Sequence, residues 1–168
     1  MPYRLKIETF KMSAEAVVVD ANLLVLLVVG LASESYITRH KRLKAYSVAD
    51  YRLLLALISA HSRMIVTPNA VTETSNLVRN IAEPACTHIL QVLGVLLEEV
   101  EERYIASRDA ARHQDFRRLG ITDAALLNDS LQSAVLLTSD LDLYLAAARA
   151  GQKVVNFTHH IEANRPSA

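Results

Sequence analysis

Two aspartates follow predicted strands of this sequence at points where they could do chemistry together. Asp20 directly follows the apolar run 17–19, and Asp140 follows the apolar run 135–137 after two intervening residues. In open parallel sheets, ligands bind beyond the carboxyl ends of the strands, where the strand order reverses. If these two runs are neighbours at that point, the two carboxylates face each other across the crevice. A second interpretation is that each aspartate simply caps the helix that follows it.

Two further acids belong to the same scheme. Glu73 lies in the second turn of a helix that follows the run 64–66, and Asp123 lies in the first turn of the helix that precedes the run 135–137. Taken singly, Glu73 is also typical of an exposed helix position, and Asp123 of a residue that favours the helix dipole. Together with the two aspartates above, they could converge on one end of the sheet.

Four carboxylates in one pocket have a definite chemical consequence. Two unit charges about 4 Å apart repel by about 4 kcal/mol at an effective dielectric of 20, so such a cluster requires protons or a cation. Ligand sets made only of oxygen suit Mg²⁺ or Mn²⁺. One or two such ions can activate water, bridge a phosphodiester and stabilise the leaving oxygen. If the acids converge, metal-assisted phosphodiester hydrolysis is one chemistry they could support.

The elements that must position these acids alternate along the chain. Short β-branched runs are separated by longer helical segments, which predicts an α/β fold with a parallel sheet covered by helices on both faces. The predicted strands are 17–19, 64–66, 104–106, 135–137 and 154–156. The predicted helices are 22–29, 48–60, 68–79, 84–102, 123–131 and 141–150. We expect an N-terminal extension over 1–15, one domain over 16–157 and a C-terminal tail over 158–168, with a polar, basic connection at 33–47.

Composition restricts the class of protein. The chain has 168 residues, 51% of them hydrophobic, which suffices for a core, and its 18 basic and 18 acidic side chains cancel. Any polyanion must therefore be bound by a local patch or by bound cations. The single cysteine, Cys86, excludes an internal disulfide and fits a reducing, cytoplasmic location. The uncharged run 23–32 is too short to span a bilayer, so no membrane association is expected.

Four segments resemble, in order, the motifs of PIN-domain nucleases. They are V-V-V-D-A-N-L-L at 17–24, T-P-N-A-V-T-E-T-S-N-L-V at 67–78, L-G-I-T-D-A-A-L at 119–126 and L-L-T-S-D-L-D-L at 136–143. The segment 148–157 is similar to the last helix and strand of that family. The resemblance covers roughly residues 16–157.

The resemblance implies a fold and an activity. It implies an α/β/α sandwich with a five-stranded parallel sheet in the order 3-2-1-4-5, and a metal-dependent endoribonuclease like the VapC-type toxins of toxin–antitoxin pairs. It implies that one or two Mg²⁺ or Mn²⁺ ions are bound by Asp20, Glu73, Asp123 and Asp140. The partners it implies are RNA, an antitoxin protein and a second copy of the chain in a homodimer.

Three polar residues accompany these acids in the matching motifs. We expect Asn22 and Thr138 to orient the carboxylates or the phosphate. Asp142 competes with Asp140 for the fourth acidic position. The T-x-D spacing matches Asp140, which leaves Asp142 as an acid of the first helical turn.

Basic residues cluster in two places and are candidates for phosphate contacts. The alternative is that both clusters are solvated surface. Tyr36 and Tyr46 flank the denser cluster and could stack on bases. The candidate RNA-binding residues are Arg39, Lys41, Arg42, Lys44, Arg117 and Arg118.

Two alternatives come from other classes of function. One is a PIN-like module that binds RNA or regulates without catalysis. The other is a signalling receiver-like domain, which also groups acids beyond a parallel sheet. A receiver places a lysine after its last strand and an aspartate after a central one. Here Lys153 precedes the last predicted strand, and the run 64–66 is followed by Thr67 and Pro68.

Overall fold

The computed structural model describes residues 13–165, which form one all-parallel sheet with the strand order β3-β2-β1-β4-β5. The strand order reverses between β1 and β4, so the crevice lies beyond these two strands. The predicted α/β class, the five parallel strands and their order are confirmed. The strands are β1 (Ser13–Val19), β2 (His61–Val66), β3 (Glu101–Glu102), β4 (Val135–Thr138) and β5 (Val154–Asn156).

Ten α-helices and two 3-10 turns connect the strands within the described residues. The 3-10 turns are Lys41–Leu43 and Asp129–Leu131. The first five helices are α1 (Ala21–Ala32), α2 (Glu34–Ile37), α3 (Val48–Ser59), α4 (Pro68–Leu77) and α5 (Ala85–Glu99). The other five are α6 (Ser107–Ala111), α7 (Phe116–Leu119), α8 (Ile121–Leu126), α9 (Leu141–Arg149) and α10 (Phe157–Asn164).

The central strand β1 is buried on both of its faces. Val17 and Val19 pack into one hydrophobic core with α1, α3, α5 and α10, whereas Val18 packs into a second core with α6, α8 and α9. Successive side chains of a strand point to opposite faces, so one uninterrupted apolar run supplies both cores. The fold is therefore a sheet between two layers of helices.

Helix α1 accounts for the most apolar run of the chain. Its residues from Leu23 to Val29 are each at most 2% exposed, because the helix is enclosed by the sheet and by α2, α3, α4 and α5. At Gly30 the helix passes so close to α3 that an added Cβ would lie 2.3 Å from Cδ2 of Tyr51. Within residues 13–165 no helix is both long enough and apolar enough to cross a membrane.

The third strand is not where the sequence pattern placed it. Residues 104–106 lie outside the sheet, and β3 is instead the pair Glu101–Glu102, in register with Ile65 and Val66 of β2. Helix α5 ends at Glu99 rather than at 102, so the chain enters the sheet edge directly after the helix. An edge strand needs few apolar residues because its outer side faces solvent. The β-branched pattern therefore misplaced it.

The structure adds detail to three other segments. The helix predicted over 123–131 is α8 followed by a separate 3-10 turn, which begins where the Asn128 side chain accepts the Ser130 N–H at 3.1 Å. The connection 33–47 contains α2 and a 3-10 turn. Helix α10 covers most of the predicted tail and buries Phe157 and Ile161 in the core. Of the predicted N-terminal extension, residues 1–12 lie outside the described residues, as do tail residues 166–168.

Candidate functional site

Asp20 lies at the carboxyl end of β1, and both oxygens of its carboxylate accept hydrogen bonds. The residue is 2% exposed, and its Oδ1 accepts the N–H of Leu23 at 2.8 Å as the N-cap of α1. Its Oδ2 accepts the N–H of Ser139 at 3.0 Å and the hydroxyl of Thr138. These bonds hold one side-chain orientation. A carboxylate has about four acceptor positions, so the one that remains on Oδ1 can still bind a cation.

Asp140 occupies the equivalent position after the neighbouring strand β4. Its Oδ1 accepts the N–H of Leu143 at 2.9 Å and caps α9, and its own N–H donates to Oγ1 of Thr138 at 3.0 Å. Within the described residues its second carboxylate oxygen has no hydrogen-bond partner. The capping interpretation is thus correct for both aspartates, and in Asp140 it leaves one oxygen for another ligand.

Asp123 lies within electrostatic range of the other three predicted acids. It lies half-buried on α8, and its pKa is raised to about 7. The main cause is burial, and the negative charges of Asp20, Asp140 and Glu73 raise it further. Glu73 is brought there by α4, which packs on both α1 and α8. Asp20, Asp140 and Glu73 belong to three other elements and are therefore near enough for their charges to act on Asp123.

The pKa of Asp20 is raised for a related reason. Burial is the largest cause, and the charge of Asp140 acts in the same direction. The hydrogen bonds from Thr138, Leu23 and Ser139 oppose this effect because they stabilise the ionised form. Both buried aspartates thus lie in a region with excess negative charge.

The donor set fits a hard divalent cation. Within residues 13–165 no three acidic, histidine or cysteine side chains already surround one point closely enough to hold an ion. Mg²⁺ does not need such a cage, because it keeps several waters and is bound through one or two carboxylates. No lysine or arginine of the described residues lowers the pKa of Asp123. A cation would supply the missing compensation.

Asp142 and Arg118 form an ion pair. The Asp142 carboxylate, 70% exposed, lies 2.8 Å from Nη1 of Arg118, and Nη2 of that arginine lies 3.0 Å from Asp115. Arg118 lowers the pKa of Asp115, and Asp142 is not among the charges that raise that of Asp123. This arrangement favours Asp140 over Asp142 as the fourth acid. It also leaves the guanidinium of Arg118 between two carboxylates.

Asn22 borders a small cavity next to the acids. The cavity has a volume of about 220 Å³ and is lined in part by Asn22, Arg42, Tyr46 and Ser139. The pKa of Tyr46 is raised, chiefly by burial; the side chain of Ser139 opposes this, and the charge of Asp20 adds to it. Tyr46 therefore reaches the neighbourhood of Asp20 from the connection between α2 and α3.

The other predicted basic residues are dispersed. Arg39 lies over the ring of Tyr36, with 5.5 Å from Cζ to the ring centroid. Lys41 and Arg117 are exposed, and Lys44 lines a different cavity beside α10. Within the basic run, His40 is buried and its Nε2 lies 3.2 Å from the carbonyl oxygen of Val78. Its pKa is lowered mainly by burial, so it is structural and uncharged.

Two residues near the acids were not predicted from the sequence. Ser139 contributes its backbone N–H to Asp20, and Tyr104 lines a cavity that also contains Glu73. A backbone donor leaves no signal in the residue type. The sequence pattern predicted that Tyr104 belongs to a strand, so its exposed position was not expected.

A scan against models of known families finds no match for this chain, and a search of curated proteins finds none either. The resemblance to PIN-domain nucleases therefore rests on the four motifs.

Proposed function

We propose that this protein is a Mg²⁺- or Mn²⁺-dependent endoribonuclease of the PIN type. The observation that supports the proposal is the position of Asp20 and Asp140 where the strand order reverses, with Asp123 near enough for their charges and that of Glu73 to raise its pKa. The two aspartates cap α1 and α9, and the other two acids lie on α4 and α8, which pack on each other. A cation held there would let an acidic site approach a polyanion.

The chain's own carboxylates would act as the ligands of the metal in such a site. When bound, one or two divalent ions supply the positive charge that activates water and stabilises the leaving oxygen. The unoccupied oxygen of Asp140, with Glu73 and Asp123, provides anionic ligands. Asp20 provides a further anionic ligand, and its hydrogen bonds with Thr138 and Ser139 fix the orientation of its carboxylate.

Contact with the RNA strand is assigned to the cavity beside Asn22. Arg42 lines it and makes no ion pair within the described residues, so its charge is available for a phosphate. Asn22 and Tyr46 add uncharged hydrogen-bonding groups to the same cavity. A local site of this kind is what a chain of zero net charge requires.

The resemblance supports the finer part of the proposal. We assign the protein as the toxin of a toxin–antitoxin pair, acting on RNA in the cytoplasm as a homodimer and inhibited by an antitoxin protein. The buried, unpaired Cys86 is compatible with a reducing compartment.

Cleavage of labelled single-stranded and structured RNA by the purified protein tests the activity. The assay is run with Mg²⁺, Mn²⁺ or EDTA, and with Asp20→Asn alongside. We expect cleavage that requires the metal and is lost in the variant. RNA that is bound with Mg²⁺ or Mn²⁺ but never cleaved would support the non-catalytic RNA-binding module instead. Cleavage by Asp20→Asn at the normal rate would overturn the site.

A further inference from the structure

A groove of about 380 Å³ adjoins the acids on the side of Glu73. It lies between α4, the segment that follows β3 and the start of α8, and Glu73 forms part of its wall. Anything bound in the groove therefore lies next to the candidate metal site. The groove is separate in its lining residues from the cavity that contains Arg42.

Tyr104 gives the groove an exposed aromatic surface. The residue is 77% exposed, although large apolar side chains of this protein are mostly buried. Ile105, which is 5% exposed, and Ile121 supply apolar wall beside it. A flat ring ligand could bury part of this surface by stacking on the tyrosine.

The polar groups of the groove fit the edge of a base. Asn69 and Asn76 both line it, and within residues 13–165 neither side-chain amide has a hydrogen-bond partner. An amide offers a donor and an acceptor, which is the pattern that base edges require. None of the ten residues that line the groove is lysine or arginine, and Glu73 is acidic, so a phosphate would be repelled.

We propose that this groove binds one nucleobase of single-stranded RNA next to the cleaved phosphate, stacked on Tyr104 with its edge toward Asn69 and Asn76. The inference rests on the proposed function and adds a specificity site to it. The RNA is single-stranded here because a paired base has no face available for stacking on a side chain.

Binding of a short fluorescent single-stranded RNA tests the base site separately from catalysis. Dissociation constants are measured by anisotropy for the wild type in EDTA and, with Mg²⁺, in an Asp140→Asn background. We expect Tyr104→Ala to weaken binding about fivefold to a hundredfold, the range for loss of one stacked base. Tyr104→Phe keeps the ring and therefore keeps the affinity. Tyr144→Ala is the matched control, because the Tyr144 ring packs against His159, with 5.7 Å between the ring centroids, and does not line this groove.

RNAs with a single abasic site locate the stacked base. We expect one abasic position to weaken binding to the parent protein and to have a smaller effect on Tyr104→Ala, which keeps only the edge contacts of Asn69 and Asn76. Since Tyr104 is exposed, its variants should retain the unfolding free energy of the parent, which urea denaturation checks.

The outcomes separate the base site from the nuclease. Equal RNA affinity of Tyr104→Ala and the parent, or equal losses for alanine and phenylalanine, would overturn the base site and leave metal-dependent cleavage standing. Binding that depends on the Tyr104 ring, without cleavage by the wild type, would support the base site and overturn the nuclease. No RNA binding in either condition would overturn the base site, and the cleavage assay would then decide the nuclease by itself.

Discussion

The side chain of Thr138, at the end of β4, donates its hydroxyl hydrogen to Oδ2 of Asp20 at the end of the neighbouring strand β1. The same hydroxyl oxygen accepts the N–H of Asp140 at 3.0 Å. One buried hydroxyl thus connects the two aspartates that flank the reversal of strand order. It fixes the carboxylate of one and the backbone of the other.

Replacing Thr138 by valine removes this connection with little change in shape. Asp20 loses one donor and the N–H of Asp140 loses its acceptor, so we expect the free energy of unfolding to fall by about 1–3 kcal/mol. RNA cleavage should fall as well, because the Asp20 carboxylate is no longer held. Urea denaturation and the cleavage assay measure the two effects. Thr138→Ser keeps the hydroxyl and should retain cleavage, although loss of its buried methyl group lowers the free energy of unfolding by about 1 kcal/mol.

Asp140 and Asp142 provide a matched pair of variants two residues apart. We expect Asp140→Asn to reduce cleavage about a hundredfold or more, the scale on which loss of one preorganised electrostatic contact slows a reaction. Asp142→Asn removes only the exposed ion pair with Arg118, and it should retain most activity. Rates of RNA cleavage by the two variants at saturating Mg²⁺ distinguish the two aspartates. The opposite ranking would make Asp142 the fourth acid.

The stability of the metal-free protein should depend on pH through Asp123. Its pKa is raised from 3.8 to about 7, so the folded state keeps a proton that the unfolded state has already lost in this interval. The free energy of unfolding in EDTA therefore falls as the pH rises from about 4 to about 7. Added Mg²⁺ should restore more stability at pH 7.5 than at pH 5, because it binds the ionised carboxylates.

The variant Asp123→Asn isolates this effect. Glu34 and Asp115 have lowered pKa values. They change the free energy of unfolding mainly below their ordinary pKa values of 4.5 and 3.8, and there the free energy rises with pH instead of falling. The difference between wild type and variant over pH 5 to 7 thus belongs to Asp123. Urea titrations in EDTA that show the same slope for both proteins would contradict the assignment.

Two glycines within helices should respond oppositely to alanine. At Gly30 the new Cβ would lie 2.3 Å from the ring of Tyr51, and overpacking of this kind costs about 1–3 kcal/mol. At Gly94, in the middle of α5, nothing lies within 4 Å of the added Cβ. Gly94→Ala should therefore stabilise the fold by about 0.5–1 kcal/mol through helix propensity. Thermal and urea unfolding compare the two, and equal effects would contradict the close packing of α1 on α3.

The salt dependence of RNA binding tests the role of Arg42. We expect Arg42→Gln to weaken binding and to reduce the slope of log K against log salt by about 0.7, the value for one phosphate contact of a single strand. Arg52→Gln is the control, since that arginine is exposed and already paired with Glu34 at 2.7 Å. An unchanged slope in Arg42→Gln, or an equal change in Arg52→Gln, would contradict a phosphate contact in the cavity beside Asn22.

Much of the fold could be predicted because it depends on local patterns. Short apolar runs predicted β1, β2, β4 and β5, since strands buried on both faces need apolar residues at successive positions. Thr67 and Pro68 predicted the start of α4, where Thr67 indeed caps the helix. Edge strand β3 could not be found in this way, because Glu101 and Glu102 pair with β2 by backbone hydrogen bonds that any residue can make.

For the site, the sequence by itself determined which acids exist and which strand or helix each one follows. It did not determine which of them meet, because that depends on the packing of α4 and α8 beyond the sheet. The tertiary structure alone decided that Arg118 pairs with Asp142, that His40 is buried and that Tyr104 is exposed beside Glu73. The reason is physical: residue type and spacing encode local conformation, whereas charge pairing and exposure depend on distances between segments far apart in the chain.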